Sequence, residues 1–357
     1  MGMPSVNISF IEKAKQSIER SERGIVALIL KDENLEEIPI TIFNEEDIPE
    51  TLTDFNKEQI RLTLKGNLKA PKKIIVYAIP EGEEETVDYT AILEHLEAER
   101  FDYLAIPTVE TDGKTSEIVS WVKSQRENKK KCKAVLPNTE ADSEGVINVT
   151  TEEFTNGEKV YTTEEYCARI AGLIAGTPLT NGSCTYAPLP ELTDCTRLKD
   201  KDMDTAVENG EFIVFFDGEK VKVGRGVNSL TTTTDEKGDQ FKKIRIVEAM
   251  DMIHDDIKKT AEDKYLGKFA NSYDNKCLLI SAIGDYFEEL KLEGVISSYT
   301  IDIDSTAQKA FLKKMGEDVE NMSDIEIKTA NTRDKVFLSA SVKILDAIED
   351  IDLPILI

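Results

Sequence analysis

Several groups of residues have types and spacings that could support chemistry. Thr108-Val-Glu-Thr-Asp-Gly113-Lys114-Thr115 follows a strand-like run and opens a helical pattern. In that setting a glycine-rich loop can wrap backbone amides and a lysine around a phosphate. The pattern needs glycine where Thr108 stands, however, and Glu110 and Asp112 would repel an anion. A loop leading into a helix N-terminus is the better reading. A nucleotide-binding α/β enzyme with a degenerate P-loop at 108–115 is the alternative. Asp200, Asp202, Asp204 and Glu211 match positions 1, 3, 5 and 12 of a calcium loop, but Thr205 occupies the sixth position, where the turn demands glycine. An acidic helix start, favoured by the macrodipole, explains the same residues. Gly224-Arg-Gly226-Val-Asn-Ser229 offers two glycines of a dinucleotide fingerprint, yet a loop follows instead of a helix, so a tight turn suffices. His95 and His254 are the only histidines, far apart on helical patterns, and no H-E-x-x-H motif is present. Asp302 and Asp304 alternate on one strand face, which more often means solvent than a paired acid and base. No catalytic, cofactor-binding or metal-binding residues are assigned, and the sequence reads as a non-enzyme.

The elements that would carry these residues form a mixed α+β chain. Its 357 residues exceed what one core usually serves, so two or three domains are expected. Strands Ile25–Leu30 and Ile74–Ile79 lie within a β-rich region, 25–90. Helix 89–99, strand 103–107, helix 116–127 and strands 132–136 and 146–149 then alternate as in a small doubly wound α/β layer, 91–195. Helix 163–175 begins at an N-cap, Thr162 or Thr163, and stops at Gly176-Thr-Pro178. A connector, 179–195, leads to a third region, 196–345. There a strand over 212–216 turns at Asp217-Gly218 into strand 220–225. A long helix, 241–266, carries Ile246, Met250, Ile253, Ile257 and Ala261 on one face. Helix 275–293, strand 297–303 and a Lys-rich helix over 306–322 follow.

Acidic residues outnumber basic ones by 69 to 44, a formal charge of −25. That field disfavours nucleic acid and anionic lipid, because phosphate contacts need Lys or Arg. No apolar run reaches the roughly 18–20 residues of a membrane helix. MGMPSVNISF lacks the basic and apolar regions of a signal peptide, and five scattered cysteines without a C-x-x-C pair suit a reducing compartment. A cytosolic, soluble protein is expected, without nucleic acid or membrane insertion.

The termini carry the more unusual pattern. Val6, Ile8 and Phe10 alternate with polar residues ahead of a polar stretch, 12–24, giving an N-terminal arm over 1–24. At the other end Val336, Leu338, Ala340, Val342 and Ile344 alternate as a half-buried strand. An acidic run then leads to Pro354-Ile-Leu-Ile357, a C-terminal arm over 346–357. Strand-like segments outside a core have unpaired edges and must find a sheet elsewhere.

Four segments, in order, carry a family resemblance. Ile18-Glu-Arg-Ser-Glu-Arg-Gly-Ile-Val-Ala-Leu28 is similar to sheath proteins of Gram-positive phage-like elements. Ala168-Arg-Ile-Ala-Gly-Leu-Ile-Ala-Gly-Thr-Pro178, continuing through Ser183-Cys-Thr-Tyr186, resembles the central signature of myophage tail sheaths. Gly210–Phe216 with Val221–Val227-Asn-Ser-Leu-Thr-Thr232 resembles the strand, arginine-glycine turn and loop of that family. Phe241–Asp251, continuing to Tyr265-Leu-Gly-Lys268, resembles its core helix. The chain thus resembles contractile tail sheath proteins of myophages and of phage-tail-like particles such as R-type bacteriocins and defective prophages. It is short for that family, without the large outer domains many members carry.

The resemblance implies a compact multi-domain subunit with extended N- and C-terminal β-strand arms, stacking as six-fold rings around a tail tube. Arm strands would add to neighbours' sheets while flexible tethers let the cores swing during contraction. Val6, Ile8 and Phe10 would form the N-terminal arm strand, and Ile351, Leu353, Ile355 and Ile357 the C-terminal one. The receiving sheet would hold Val336, Leu338, Ala340, Val342 and Ile344, with 212–216 as a further candidate. Lys309, Lys313 and Lys314 would face an acidic tube. Further expected partners are other copies of the chain, baseplate proteins and the tail terminator. The expected location is a virion or tail-like particle assembled in the bacterial cytoplasm, with no cofactor.

Overall fold

The structure is a computed structural model that describes residues 17–33, 38–80 and 87–356. Val6, Ile8, Phe10 and Ile357 lie outside the described residues. The chain divides into a larger unit, Glu22–Met252 with Asp346–Ile357, and a smaller one, Met1–Ser21 with Ile253–Leu345.

The larger unit begins with β1 (Ile25–Lys31), β2 (Ile40–Ile42), α1 (Asp54–Leu64), β3 (Lys73–Ile79) and α2 (Thr90–Leu96). It continues through β4 (Tyr103–Ala105), α3 (Thr115–Glu127), β5 (Lys133–Pro137), β6 (Val146–Val149), β7 (Glu153–Asn156), β8 (Lys159–Thr162) and α4 (Thr163–Ala175). After β9 (Asp194–Cys195) come α5 (Asp200–Glu208), β10 (Glu211–Phe212), β11 (Val214–Phe216), β12 (Val221–Val223) and α6 (Ile244–Thr260), whose residues up to Met252 belong here.

Seven strands form one sheet in the order β10-β6-β5-β4-β1-β3-β2. All neighbours are parallel except β2, an antiparallel edge on β3. The unbroken apolar run of β1 has its cause here, since a central parallel strand is covered on both faces. Val26, Leu28 and Leu30 pack with Ile60 of α1 and Ile170 and Leu173 of α4. Ile25, Ala27 and Ile29 point the other way, to Leu93 of α2 and Ile118 and Val122 of α3. The expected boundaries at 90/91 and 195/196 therefore fall inside this unit, because β1 pairs with β3 on one side and β4 on the other. The expected single strand over 212–216 is two: β10 closes the large sheet, while β11 pairs with β12.

The 168–178 signature has a packing explanation. Thr162 caps α4 in a capping box with Glu165. Gly172 lets α4 reach α1, since a Cβ there would sit 2.1 Å from the Thr63 carbonyl oxygen. Arg169 is buried, donating to the Gly66 carbonyl at 2.7 Å and to Glu191 at 2.5 Å.

A buried ionic network fixes the start of α6 against the sheet. Lys133 lies 2.6 Å from Glu248 and 2.9 Å from Asp251. Arg23 meets Glu248 at 2.9 Å, Arg126 meets Asp251 at 3.0 Å, and Tyr103 donates to Glu248 at 2.6 Å. Burial opposes the carboxylate charges, but Lys133 and its arginine neighbours outweigh it and hold both acids below their ordinary range.

The smaller unit holds the remainder of α6, α7 (Tyr273–Leu292), β13 (Ile296–Ile303), α8 (Ser305–Lys314), α9 (Asp324–Thr329) and β14 (Leu338–Ile344). Tyr286 and Phe287 of α7 are buried, and Phe287 packs on Tyr299 of β13 with ring centres 5.3 Å apart. The end of the polar stretch expected as a tether is docked here. The Glu19 amide donates to Thr260 Oγ1 at 3.0 Å, the Ser21 amide to buried Asp256 at 2.7 Å, and Arg20 to Glu293 at 2.7 Å.

Candidate functional site: strand edges and the C-terminal segment

The loops that could have bound small ligands are occupied by the protein's own groups. The Glu110 and Thr111 amides, which a phosphate would need, donate to the Glu164 carboxylate at 3.0 and 3.1 Å. Asp112 accepts from Tyr89 at 2.5 Å and from Thr108 at 2.9 Å and pairs with Lys31, while Lys114 turns to Glu117 at 2.8 Å. Asp200, Asp202 and Asp204 lie on α5, so no calcium-type loop forms around them. No group of three or more metal-ligating side chains occurs among the described residues. His95 bonds Tyr77 at 2.9 Å and His254 bonds Asp255 at 2.9 Å. Asp302 pairs with Lys328 at 2.7 Å, and Asp304 caps α8 by accepting from the Ala307 amide at 2.8 Å. Among the described residues, no helix is long and apolar enough to cross a membrane.

What stays open is main chain. β13 and β14 form a two-stranded antiparallel sheet with Ile303 opposite Leu338 and Ile296 opposite Ile344. Neither strand has a second partner among the described residues. A two-stranded sheet is marginal by itself; here α7 covers one face, as in the Phe287–Tyr299 contact. β14, Leu338-Ser-Ala-Ser-Val-Lys-Ile344, has no proline and one charge, so its outer edge is a poorly blocked template for another strand. Leu338, Val342 and Ile344 are half-buried and Ala340 is exposed; Val336 precedes the strand. The other candidate, 212–216, offers less, since Phe212 and Val214 are buried.

In the larger unit, residues 346–356 form neither helix nor strand. Ile351, Leu353 and Ile355 are 82%, 72% and 77% exposed. That leaves their apolar surface in water in the isolated chain, at a cost in free energy. Lys313 and Lys314 are exposed on α8 and Lys309 is half-buried there; Lys313 lies 3.1 Å from Glu320 and Lys309 3.9 Å from it.

Residues 82–229 match the model of the phage tail sheath protein central domain, and 236–356 that of the phage tail sheath C-terminal domain. The chain is similar to a tail sheath protein of Clostridium phage phiCD119, 41% identical over 99% of this chain and 98% of the relative. Its fold is similar to the sheath tail protein of Desulfitobacterium hafniense, with a TM-score of 0.69, 21% identity, and coverage of 84% of this chain and 94% of that one. The helical sheath of the anti-feeding prophage in its contracted state aligns over 100% of this chain and 98% of that chain, with a TM-score of 0.69 at 15% identity. A chain matched by both domain models and by a full-length relative belongs to the phage tail sheath proteins, as a structural subunit of a phage tail or tail-like particle and not an enzyme.

Proposed function

We propose that the chain polymerises into six-fold rings stacked around a tail tube, and that strand addition at the β13–β14 sheet links each copy to its neighbours. The observation that carries this reading is the presence, in one chain, of unpaired strand edges and an exposed apolar segment of strand-like alternation. Each added main-chain hydrogen bond contributes about 0.5–1.5 kcal/mol net, so even a short ladder supplies several kcal/mol per junction. Ile351, Leu353, Ile355 and Ile357 form the C-terminal arm strand, and Val6, Ile8 and Phe10 the N-terminal one. Val336, Leu338, Ala340, Val342 and Ile344 line the receiving sheet. The ladders persist while the cores rearrange, so contraction drives the tube through a cell envelope on energy stored during assembly. Lys309, Lys313 and Lys314 face an acidic tube, and baseplate and terminator proteins close the ends of the stack.

Negative-stain microscopy of the purified protein tests the arms. Full-length chain should give tubes or stacked rings, whereas chains lacking 1–14 or 347–357 should stay folded and monomeric. Normal polymers from both truncations would sink the arm reading. Reversing Lys313 and Lys314 to Glu should abolish co-sedimentation with tube protein but spare sheath self-assembly; unchanged co-sedimentation would remove α8 from the tube contact.

A further inference from the structure

The Gly224-Arg-Gly226 turn, which resembles a fragment of a dinucleotide fingerprint, is occupied by the chain's own C-terminal stem. Arg225 lies 2.5 Å from Asp350 and 3.7 Å from Glu349. Lys243 pairs with Asp346 and lies 3.4 Å from Glu349. Thr185 donates to Glu349 at 2.6 Å and is itself oriented by the Gly226 amide, which donates to its hydroxyl at 2.9 Å. Gly226 permits this approach, because a Cβ there would lie 2.9 Å from Cys184 Sγ. The Glu349 side chain is 5% exposed although it sits two residues before Ile351, which is 82% exposed. Ile348, just before Glu349, is 87% exposed, so within this run ion pairs and the Thr185 hydroxyl hold the Glu349 side chain, and Asp350 is the last described residue with an ion pair.

The electrostatic setting makes these contacts necessary. Arg225, Glu349 and Asp350 line one side of a cavity of about 580 Å³ whose other lining residues include Asp200, Asp204 and Glu208 of α5. An acidic stem beside an acidic helix is repelled unless cations intervene. Arg225 and Lys243 supply those cations, and Lys243 is held in its charged form by Asp346 and Glu349 despite partial burial.

We propose that Thr185, Arg225 and Lys243 form a clamp that fixes the stem 346–350 on the larger unit and so sets the point from which the C-terminal arm departs. The proposal rests on the arm reading above and refines it: the flexible part of this arm starts at Ile351, not at the acidic stem. Thr185, Arg225 and Lys243 are positioning residues, acting on the arm through the stem.

The clamp can be read without polymerisation. A glutamyl endopeptidase cutting after Glu349 releases the eight residues Asp350–Ile357, and the reaction is followed by intact mass. Burial of Glu349 should make the native chain resistant at low salt. Arg225→Ala combined with Lys243→Ala should raise the release rate at least about tenfold, equivalent to about 1.4 kcal/mol of clamp opening. The charge-keeping pair Arg225→Lys with Lys243→Arg should instead keep most of the resistance. If the double variant misfolds, a salt titration of the unaltered chain serves. Release, normalised to a free peptide of the same sequence, should accelerate as salt screens the partly exposed pairs. Equal cleavage in native chain and double variant, or no salt dependence, would overturn the clamp. In microscopy the double variant should give few or short tubes although its arm is intact; abundant long tubes would overturn the positioning role. Removing 351–357 separates the two ideas: polymers formed without those residues would refute the arm reading and leave the cleavage result standing.

Discussion

Replacing Lys133 by methionine should destabilise the larger unit by about 3 kcal/mol, because it removes the cation shared by two buried carboxylates. The Lys133 side chain is 1% exposed and lies 2.6 Å from Glu248 and 2.9 Å from Asp251. At an effective dielectric constant near 20, each contact has a gross attraction of about 6 kcal/mol. Desolvation of the ammonium group offsets several kcal/mol of that. Breaking a buried pair by removing one partner costs about 3–5 kcal/mol. The lower end applies, since Glu248 keeps Arg23 at 2.9 Å and Asp251 keeps Arg126 at 3.0 Å. Methionine fills a similar volume, so lost packing contributes little. In a unit of this size the melting temperature should fall by roughly 6–12 °C. The only tryptophan, Trp121 on α3, stacks on Phe101 with ring centres 6.2 Å apart and reports this unit in urea or heat. Lys123→Met, at an exposed position on the same helix, is the control and should stay within about 0.5 kcal/mol. A loss under about 1 kcal/mol for Lys133→Met would refute the reasoning. So would full additivity with Glu248→Gln, because groups in one network must couple.

Two further outcomes follow from the same unit. Gly172→Ala should cost about 3 kcal/mol or strand the protein in inclusion bodies, since its methyl group would enter the Thr63 carbonyl and push α4 off α1; a urea midpoint within error of the unaltered chain would contradict that contact. Acid should weaken the unit. Glu248 and Asp251 are depressed from ordinary values of 4.5 and 3.8, so their contribution is complete above those values and is lost as pH falls toward the folded ones. General charge repulsion at −25 runs in the opposite direction, easing on acidification. The diagnostic is therefore the difference between the unaltered chain and Glu248→Gln, which should shrink between about pH 6 and pH 3; a difference independent of pH would remove the carboxylate from the network.

Much of the larger unit was legible because its signals are local. The apolar run of Ile25–Leu30, the Thr162 cap with Glu165 and the stop at Gly176-Thr-Pro178 each fix an element through bonds or burial within a few residues. Domain boundaries were less legible, because strand partnership is non-local: nothing near residue 90 indicates that β1 pairs with both β3 and β4. The buried network was invisible for the same reason. Arg23, Arg126, Lys133, Glu248 and Asp251 look like ordinary surface charges until the fold brings them within about 3 Å of one another.

The termini draw the same line. By itself the sequence determined the alternation of apolar residues in β14 and in Ile351, Leu353 and Ile355, and the resemblance that identified the family, since periodicity and motif order are properties of the chain alone. Only the tertiary structure decided that the β13–β14 edges are left open and that residues 19–21 are docked. It also decided that the acidic run before Ile351 is held by Thr185, Arg225 and Lys243 instead of being free. Those outcomes depend on which charges meet across more than a hundred residues of sequence, and a carboxylate facing solvent is spelled the same way as one facing an arginine.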